Sequence, residues 1–237
     1  VLDILDESPL IEETATGKTV EFHGAAAQQV TFSYGAEEIL SNVSAEFPAG
    51  SIVGITGRSG SGKSTLGAFL GKLYGAPVLH LDVIAFEEGW KRREMAESRA
   101  LAQQFMEQES WIIGGNYREM GWEKRVEEAD QLIYMNFPRL TCLKRAWKRY
   151  RTYQGRTRES IAPGCPEKLD LEFVFWILWQ GRTPRRLARF RQTVKKYRDK
   201  TVVLKNQRQL DAFMFQLEDK NEKEKFSPGT LCRFAAG

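Results

Sequence analysis

Cysteine and histidine are scarce in this chain of 237 residues, which holds three of the former and two of the latter. Cys142, Cys165 and Cys232 stand far apart and form no C-x-x-C pair. With only His23 and His80 beside them, a zinc site is disfavoured. An odd, sparse set of thiols is no disulfide framework either, and it fits a reducing cytoplasm. Long apolar runs are also missing: the longest, Phe173–Trp179, is too short to span a bilayer and reads as a buried helix. No signal peptide is visible, and the opening Val1-Leu2-Asp3 suggests that the numbered chain does not begin at a native start. No internal repeat is found. What is present, 42% apolar and 28% charged residues, is an ordinary soluble composition with material for a core. The length allows one large domain, or one domain with an appendage.

Basic residues are nearly absent from the first fifty positions, which hold Lys18 alone against nine acids. Residues 139–200 invert the balance, with eighteen Lys/Arg against five acids. Solvated helix faces explain much of Lys144–Arg151 and Arg185–Arg198; a surface for polyphosphate or nucleic acid is the functional alternative.

Between these regions lies Gly57-Arg58-Ser59-Gly60-Ser61-Gly62-Lys63-Ser64-Thr65, a full match to the phosphate-binding pattern G-x-x-x-x-G-K-[ST]. Ser51–Thr56 reads as a short buried strand before it, and Ser64–Leu73 as a helix closed by Gly75. Gly57, Gly60 and Gly62 let backbone N–H groups curl around phosphate oxygens, and the helix start adds unpaired N–H groups and a positive dipole end. Ser59, Ser61 and Thr65 complete the cradle. Lys63 is placed to reach the outer phosphates and Ser64 to ligate Mg²⁺, so the expected cofactors are ATP and Mg²⁺.

Downstream, strand and helix patterns alternate. Strands are expected at Val78–Leu81, Trp111–Ile113, Leu132–Asn136 and Thr201–Leu204, and helices at Lys91–Gln108, Glu119–Ala129, Leu140–Tyr153, across Asp170–Tyr197, and at Gln207–Leu217. This alternation predicts an α/β three-layer P-loop NTPase fold with a five-stranded parallel sheet and helices on both faces. A Gly/Pro-marked loop at Gly155–Lys168 interrupts it. Upstream, residues 1–18 read as an acidic linker, and Val20–His23 and Val30–Tyr34 as short strands of a small N-terminal β appendage. Residues 218–237 read as a disordered tail. The expected division is therefore 1–50, 51–217 with a lid near 151–170, and 218–237.

Two resemblances meet at the phosphate loop. From Ile52 to about Leu217 the chain resembles the bacterial topology modulation proteins, which are adenylate-kinase-like P-loop proteins. The residues that carry this are the loop itself, Val78-Leu-His-Leu-Asp82, Trp111-Ile-Ile-Gly-Gly-Asn-Tyr117, Phe137-Pro-Arg-Leu-Thr-Cys142, Gly164-Cys-Pro-Glu-Lys-Leu-Asp-Leu-Glu-Phe173 and Lys205-Asn-Gln-Arg208. The resemblance implies a nucleoside-kinase-type core with a mobile, arginine-bearing lid. Residues 1–66 instead resemble the start of an ABC exporter ATPase domain, through Val30-Thr-Phe-Ser-Tyr-Gly35, Ile39-Leu-Ser-Asn-Val-Ser-Ala-Glu-Phe-Pro-Ala-Gly50 and the phosphate loop. In that family an aromatic placed like Tyr34 stacks on adenine. The LSGGQ signature, the glutamine loop and a strand ending in Asp-Glu are all missing, so the chain cannot run a transport cycle alone. A fusion through the shared loop accounts for both resemblances.

Phosphoryl transfer depends on in-line positioning and positive charge. Asp82, expected at the end of the second core strand, is a candidate to orient the acceptor or a Mg²⁺-bound water; a turn or cap is its bland role. Gly114-Gly115-Asn116-Tyr117 ends the third strand on the rim where open α/β sheets bind ligands, although a tight strand exit also fits. Topology modulation proteins often carry an acid where this chain has Gly114, which puts a second Mg²⁺-positioning carboxylate in doubt. Arg139 is expected on the same rim, with Arg151, Arg156 and Arg158 in or beside the lid. Cys165 and His80 read as structural. Arg182, Arg185 and Arg186 read as helix surface, with phosphate or nucleic-acid contact as the alternative. The candidate catalytic set is Lys63, Asp82, Arg139, Arg156 and Arg158. The expected partners are a nucleotide and a small-molecule acceptor, with weak DNA contact as a further possibility and a membrane partner only within an ABC assembly.

Overall fold

The computed structural model describes residues 24–34, 37–48 and 50–225, with side chains described from 50 to 219. The segment 1–18 and the expected strand Val20–His23 lie outside the described residues.

Nine strands and eight α-helices are described. An antiparallel hairpin of β1 (Gly24–Tyr34) and β2 (Glu37–Pro48) comes first, the expected β appendage. The core then runs β3 (Ile52–Gly57), α1 (Lys63–Tyr74), β4 (Val78–His80), α2 (Leu81–Ala85), the short pair β5 (Phe86–Glu87) and β6 (Lys91–Arg92), and α3 (Met95–Phe105). It continues through β7 (Trp111–Gly114), α4 (Trp122–Glu128), β8 (Gln131–Met135), α5 (Arg139–Thr152), α6 (Leu171–Leu178), α7 (Pro184–Lys196), β9 (Thr201–Leu204) and α8 (Gln207–Lys225). The hairpin lies along α8 and near β8 and β9.

Five parallel strands form one sheet, as the alternation predicts, and they stand in the order β4-β7-β3-β8-β9. The side-chain period of two divides their residues between two cores. Val53, Ile55, Ile112, Ile133, Met135, Val202 and Leu204 pack against α1, α5, α6 and α8 through Leu66, Leu70, Ala146, Ile177 and Phe213. Leu79, Trp111, Ile113 and Leu132 face the other way, onto Ala102 of α3 and Val126 of α4. β3 sits in the middle with β7 and β8 on either side, so the loop that leaves it is enclosed by the ends of both neighbours.

Several boundaries differ from expectation. Asp82 does not end a strand: β4 stops at His80 and Asp82 lies in the first turn of α2. The helix expected over Lys91–Gln108 is α3 alone, because the β5/β6 pair and a 3-10 turn at Glu88–Trp90 take up the residues before it. The tail expected from 218 begins as helix, since α8 continues to Lys225. Extension of an existing helix needs no new nucleus, and Glu218–Lys225 is rich in Glu and Lys, which favour helix. Residues 226–237 lie outside the described residues.

Candidate functional site

The phosphate loop is held first by backbone geometry. Gly60 and Gly62 take positive φ angles of 79° and 96°. A Cβ on Gly60 would stand 2.3 Å from the Cys142 carbonyl oxygen, and one on Gly62 2.3 Å from the Arg145 guanidinium. Gly60 therefore excludes a side chain by conformation and by space together, and Gly62 chiefly by conformation, since the Arg145 side chain can give way. Ser61 is fully buried, and both its N–H (3.1 Å) and its hydroxyl (2.7 Å) donate to the Arg58 carbonyl, closing the turn. Arg145 of α5 donates to the Ser61 carbonyl at 3.1 Å.

A second tie comes from β7. Asn116 Oδ1 accepts from the Thr56 hydroxyl at 2.7 Å and from the Gly57 N–H at 3.0 Å, while its Nδ2 donates to the Gly57 carbonyl. Asn116 thus clamps the root of the loop. Gly115 also has a packing reason, because a Cβ there would lie 2.7 Å from Leu81 Cβ. The tight strand exit, not close approach of a ligand, accounts for these two residues.

Lys63 Nζ donates to the carbonyls of Gly57 and Arg58, each at 3.0 Å. Burial lowers its pKa to about 8, and the Asp82 carboxylate opposes that shift. Asp82 Oδ1 accepts from the Tyr117 hydroxyl at 2.8 Å. Burial, and next the charge of Asp82, push the Tyr117 hydroxyl well above its ordinary value, so it stays a donor. Arg92 stands over the Tyr117 ring, 5.5 Å from its centroid. Burial lowers His80 in β4, so its imidazole stays neutral at pH 7.

The arginines separate sharply. Arg158 is half-buried and bound through Nε to Glu167 Oε2 at 2.5 Å, with Nη1 on the Ser160 hydroxyl at 2.8 Å. Arg149 of α5 takes the other oxygen of the same carboxylate, at 2.8 Å from Nε and 2.7 Å from Nη2. The Glu167 side chain is only 3% exposed. Burial first, then repulsion from Arg158, lowers the Arg149 pKa, whereas Glu167 and Asp82 raise it. Arg149 also contributes to the lowering at Lys63, and Arg158 to that at His80, so both guanidinium groups act electrostatically on the phosphate-loop end of the sheet. Arg156, Arg151 and Arg139 are exposed, the last at the first residue of α5. Sequence reasoning grouped Arg156 with Arg158; the fold pairs Arg158 with Arg149 instead. It missed Arg149, Arg145 and Glu167, for which only the helical spacing of Arg145 and Arg149 offered a signal.

The loop over 153–170 is docked as well. Cys165 Sγ accepts from the Trp90 N–H at 3.3 Å and donates to the Glu87 carbonyl at 3.1 Å, and Trp90 Nε1 donates to the Pro166 carbonyl at 2.9 Å. Cys165 is structural, as expected. So is Arg182, which donates to the Ile177 carbonyl at 3.2 Å and the Phe137 carbonyl at 2.8 Å. Arg185 and Arg186 are exposed, Arg186 over the Trp176 ring.

Lys63, Arg58, Arg145 and Arg149, all in or beside the phosphate loop, are lowered by burial; Asp82 offsets this at Lys63 and Arg149, and Asp211 at Arg145. Such an excess of desolvated cations on a glycine turn fits a polyphosphate. Ser64, half-buried on α1, and Asp82 carry oxygen donors of the kind that suit Mg²⁺, a cation that keeps much of its shell as water and phosphate oxygen. No cluster of three metal-ligating His, Cys, Asp or Glu exists among the described residues. Ser59 is half-buried in the loop and Thr65 is exposed. Tyr34 ends β1, and its side chain lies outside the described residues.

The ABC transporter family matches residues 40–160, a span that contains the phosphate loop and the residues arranged around it. The chain belongs to that family. Curated relatives include a probable ABC transporter ATP-binding/permease protein of Haemophilus influenzae, 41% identical over 75 residues, covering 31% of this chain and 14% of the relative. The ATP-dependent lipid A-core flippase of Desulfotalea psychrophila is 44% identical over 73 residues, covering 28% and 12%. The chain thus spans about one seventh or less of the length of these relatives. Similar solved structures include TT1252 from Thermus thermophilus, at 22% identity and a TM-score of 0.41, covering 73% of this chain and 95% of that one. Another is the shikimate kinase from Acinetobacter baumannii in complex with shikimate, at 17% identity and a TM-score of 0.43, covering 75% and 96%. Family and loop together make this an ATP-binding P-loop protein. No helix among the described residues is long and apolar enough to cross a membrane.

Proposed function

We propose that this chain is an ATP-dependent phosphotransferase acting on a nucleotide or another small hydroxyl-bearing acceptor. The observation that carries the reading is the convergence of Lys63, Asp82 and Arg149 at the end of the sheet where the phosphate loop leaves β3, with Asp82 acting electrostatically on both cations and Arg149 on Lys63. The resemblance to topology modulation proteins from Ile52 onward favours the same reading.

In this scheme the loop N–H groups and Lys63 bind the outer phosphates. Lys63 would exchange its contacts with the Gly57 and Arg58 carbonyls for phosphate oxygens. Asp82, held by the Tyr117 hydroxyl, orients the acceptor hydroxyl and accepts its proton as the phosphoryl group arrives. Arg149 and Arg158 supply positive charge to the transferring group from positions fixed by Glu167. Bound Mg²⁺ would neutralise charge on the phosphates, with Ser64 as its direct protein contact and Asp82 reaching it only through a bound water.

The test is ATP consumption by purified protein against a panel of nucleoside monophosphates and small alcohols, beside Lys63→Ala protein. Acceptor-dependent ADP release that disappears in Lys63→Ala is the expected result. ATP affinity unchanged by that substitution would sink the assignment of the loop.

The family match over residues 40–160 favours a second reading, an ATP-binding fragment of an ABC transporter without transport activity of its own. It predicts nucleotide binding with no acceptor-dependent turnover, and a membrane partner only within a larger assembly.

A further inference from the structure

We propose that the outer face of α5 and α6 is a docking surface for an anionic lipid bilayer. Seven large apolar side chains are exposed among the described residues, and six of them, Leu140, Trp147, Tyr153, Leu171, Phe175 and Trp179, fall between positions 140 and 179. Patches of this kind mark interaction sites more often than chance exposure does. On α6 exposed Leu171 and Phe175 stand four residues apart on one helical stripe, and Trp179, which caps the helix, is held beside Phe175 by stacking of the two rings. Leu171 is 87% exposed, and Phe175 stacks on Trp179 with ring centroids 5.2 Å apart while both stay about half exposed. The opposite side of the helix is anchored by buried Ile177, so the stripe is not a sign of misplacement.

α5 packs against α6 and offers a different pattern on its exposed side. Leu140, Lys144, Trp147, Lys148 and Arg151 follow one another at helical spacing and are all exposed. Leu140 is 74% exposed, and the Arg151 guanidinium lies 4.9 Å from the centre of the Trp147 ring. Beyond α6, Arg185 and Arg186 extend the positive field. On α6 itself, Glu172 is the one exposed acid.

Charge complementarity selects the occupant. The basic residues call for an anionic surface, and the aliphatic ends Leu140 and Leu171 call for hydrocarbon. Nucleic acid meets the first need and the aromatic rings, but it gives the leucines nothing to enter. A bilayer with anionic headgroups meets both, with Trp147 and Trp179 at the headgroup level and Lys144, Lys148 and Arg151 above them. This inference does not depend on whether the chain transfers phosphoryl groups.

The test is co-sedimentation of the full chain with vesicles of phosphatidylcholine alone, and of phosphatidylcholine mixed with phosphatidylglycerol. Binding to the mixed vesicles, weakened by salt and about tenfold or more above binding to the neutral ones, is expected. Phe175→Ser with Trp179→Ser, and separately Lys144→Glu with Lys148→Glu, should each cut that binding about tenfold. Both pairs sit at exposed positions, and an unchanged thermal melt would show that the fold survives. Equal binding to both vesicles, no binding, or wild-type binding by both folded variants would overturn the proposal. So would sedimentation-velocity data showing a dimer that the same substitutions dissociate, since the face would then belong to a second copy. Tighter binding to single-stranded DNA that displaces vesicles would assign the face to nucleic acid instead.

Discussion

The phosphate loop and the loop over 153–170 present cations to the same end of the sheet, yet they are held in unlike ways. In the phosphate loop the chain shapes itself: glycines at positive φ, a serine bonded back three residues, and one asparagine clamp. In the second loop a single buried carboxylate, Glu167, holds one arginine of α5 and one of the loop itself. The first arrangement resists changes of side-chain charge and fails when a Cβ is added. The second tolerates backbone changes better, and depends on one ion pair whose removal leaves positive charge poorly compensated.

The largest effect should come from the backbone-built loop. Gly60→Ala combines positive φ with a Cβ against the Cys142 carbonyl, and should cost about 4 kcal/mol of stability together with ATP binding. Thermal melts and nucleotide titration would measure it, and a loss below about 1 kcal/mol would show that the loop can relax. Glu167→Gln comes next, at about 2 kcal/mol, because Arg149 and Arg158 keep some access to solvent once unpaired. If turnover exists, kcat should fall more than ATP affinity, since the two arginines serve the transferring group. Loss of stability with kinetics unchanged would make Glu167 a staple only. The smallest effect belongs to Arg156→Ala, within about 0.5 kcal/mol, because that side chain is exposed. Arg158→Ala should exceed it clearly, and equal effects of the two would restore the grouping suggested by sequence.

Much of this was legible before folding. The strand–loop–helix at 51–73, the strand at Thr201–Leu204 and the parallel character of the sheet follow from local pattern, because residues a few positions apart decide a glycine turn or a run of buried β-branched side chains. Asp82 was expected at a strand end and lies in a helix instead, since His80 ends the strand where α2 begins. The stretch Gly114–Tyr117 fitted either a ligand rim or a tight strand exit, and only the proximity of the β7 end to Gly57 shows Asn116 as a clamp.

The sequence by itself determined that this chain binds phosphate, because that chemistry resides in backbone N–H groups released by glycine and in one adjacent lysine. Which arginines are held in place beside that end of the sheet was decided by the tertiary structure. Nothing local distinguishes Arg149 and Arg158 from Arg151 and Arg156; they differ in whether the fold brings a buried carboxylate to meet them.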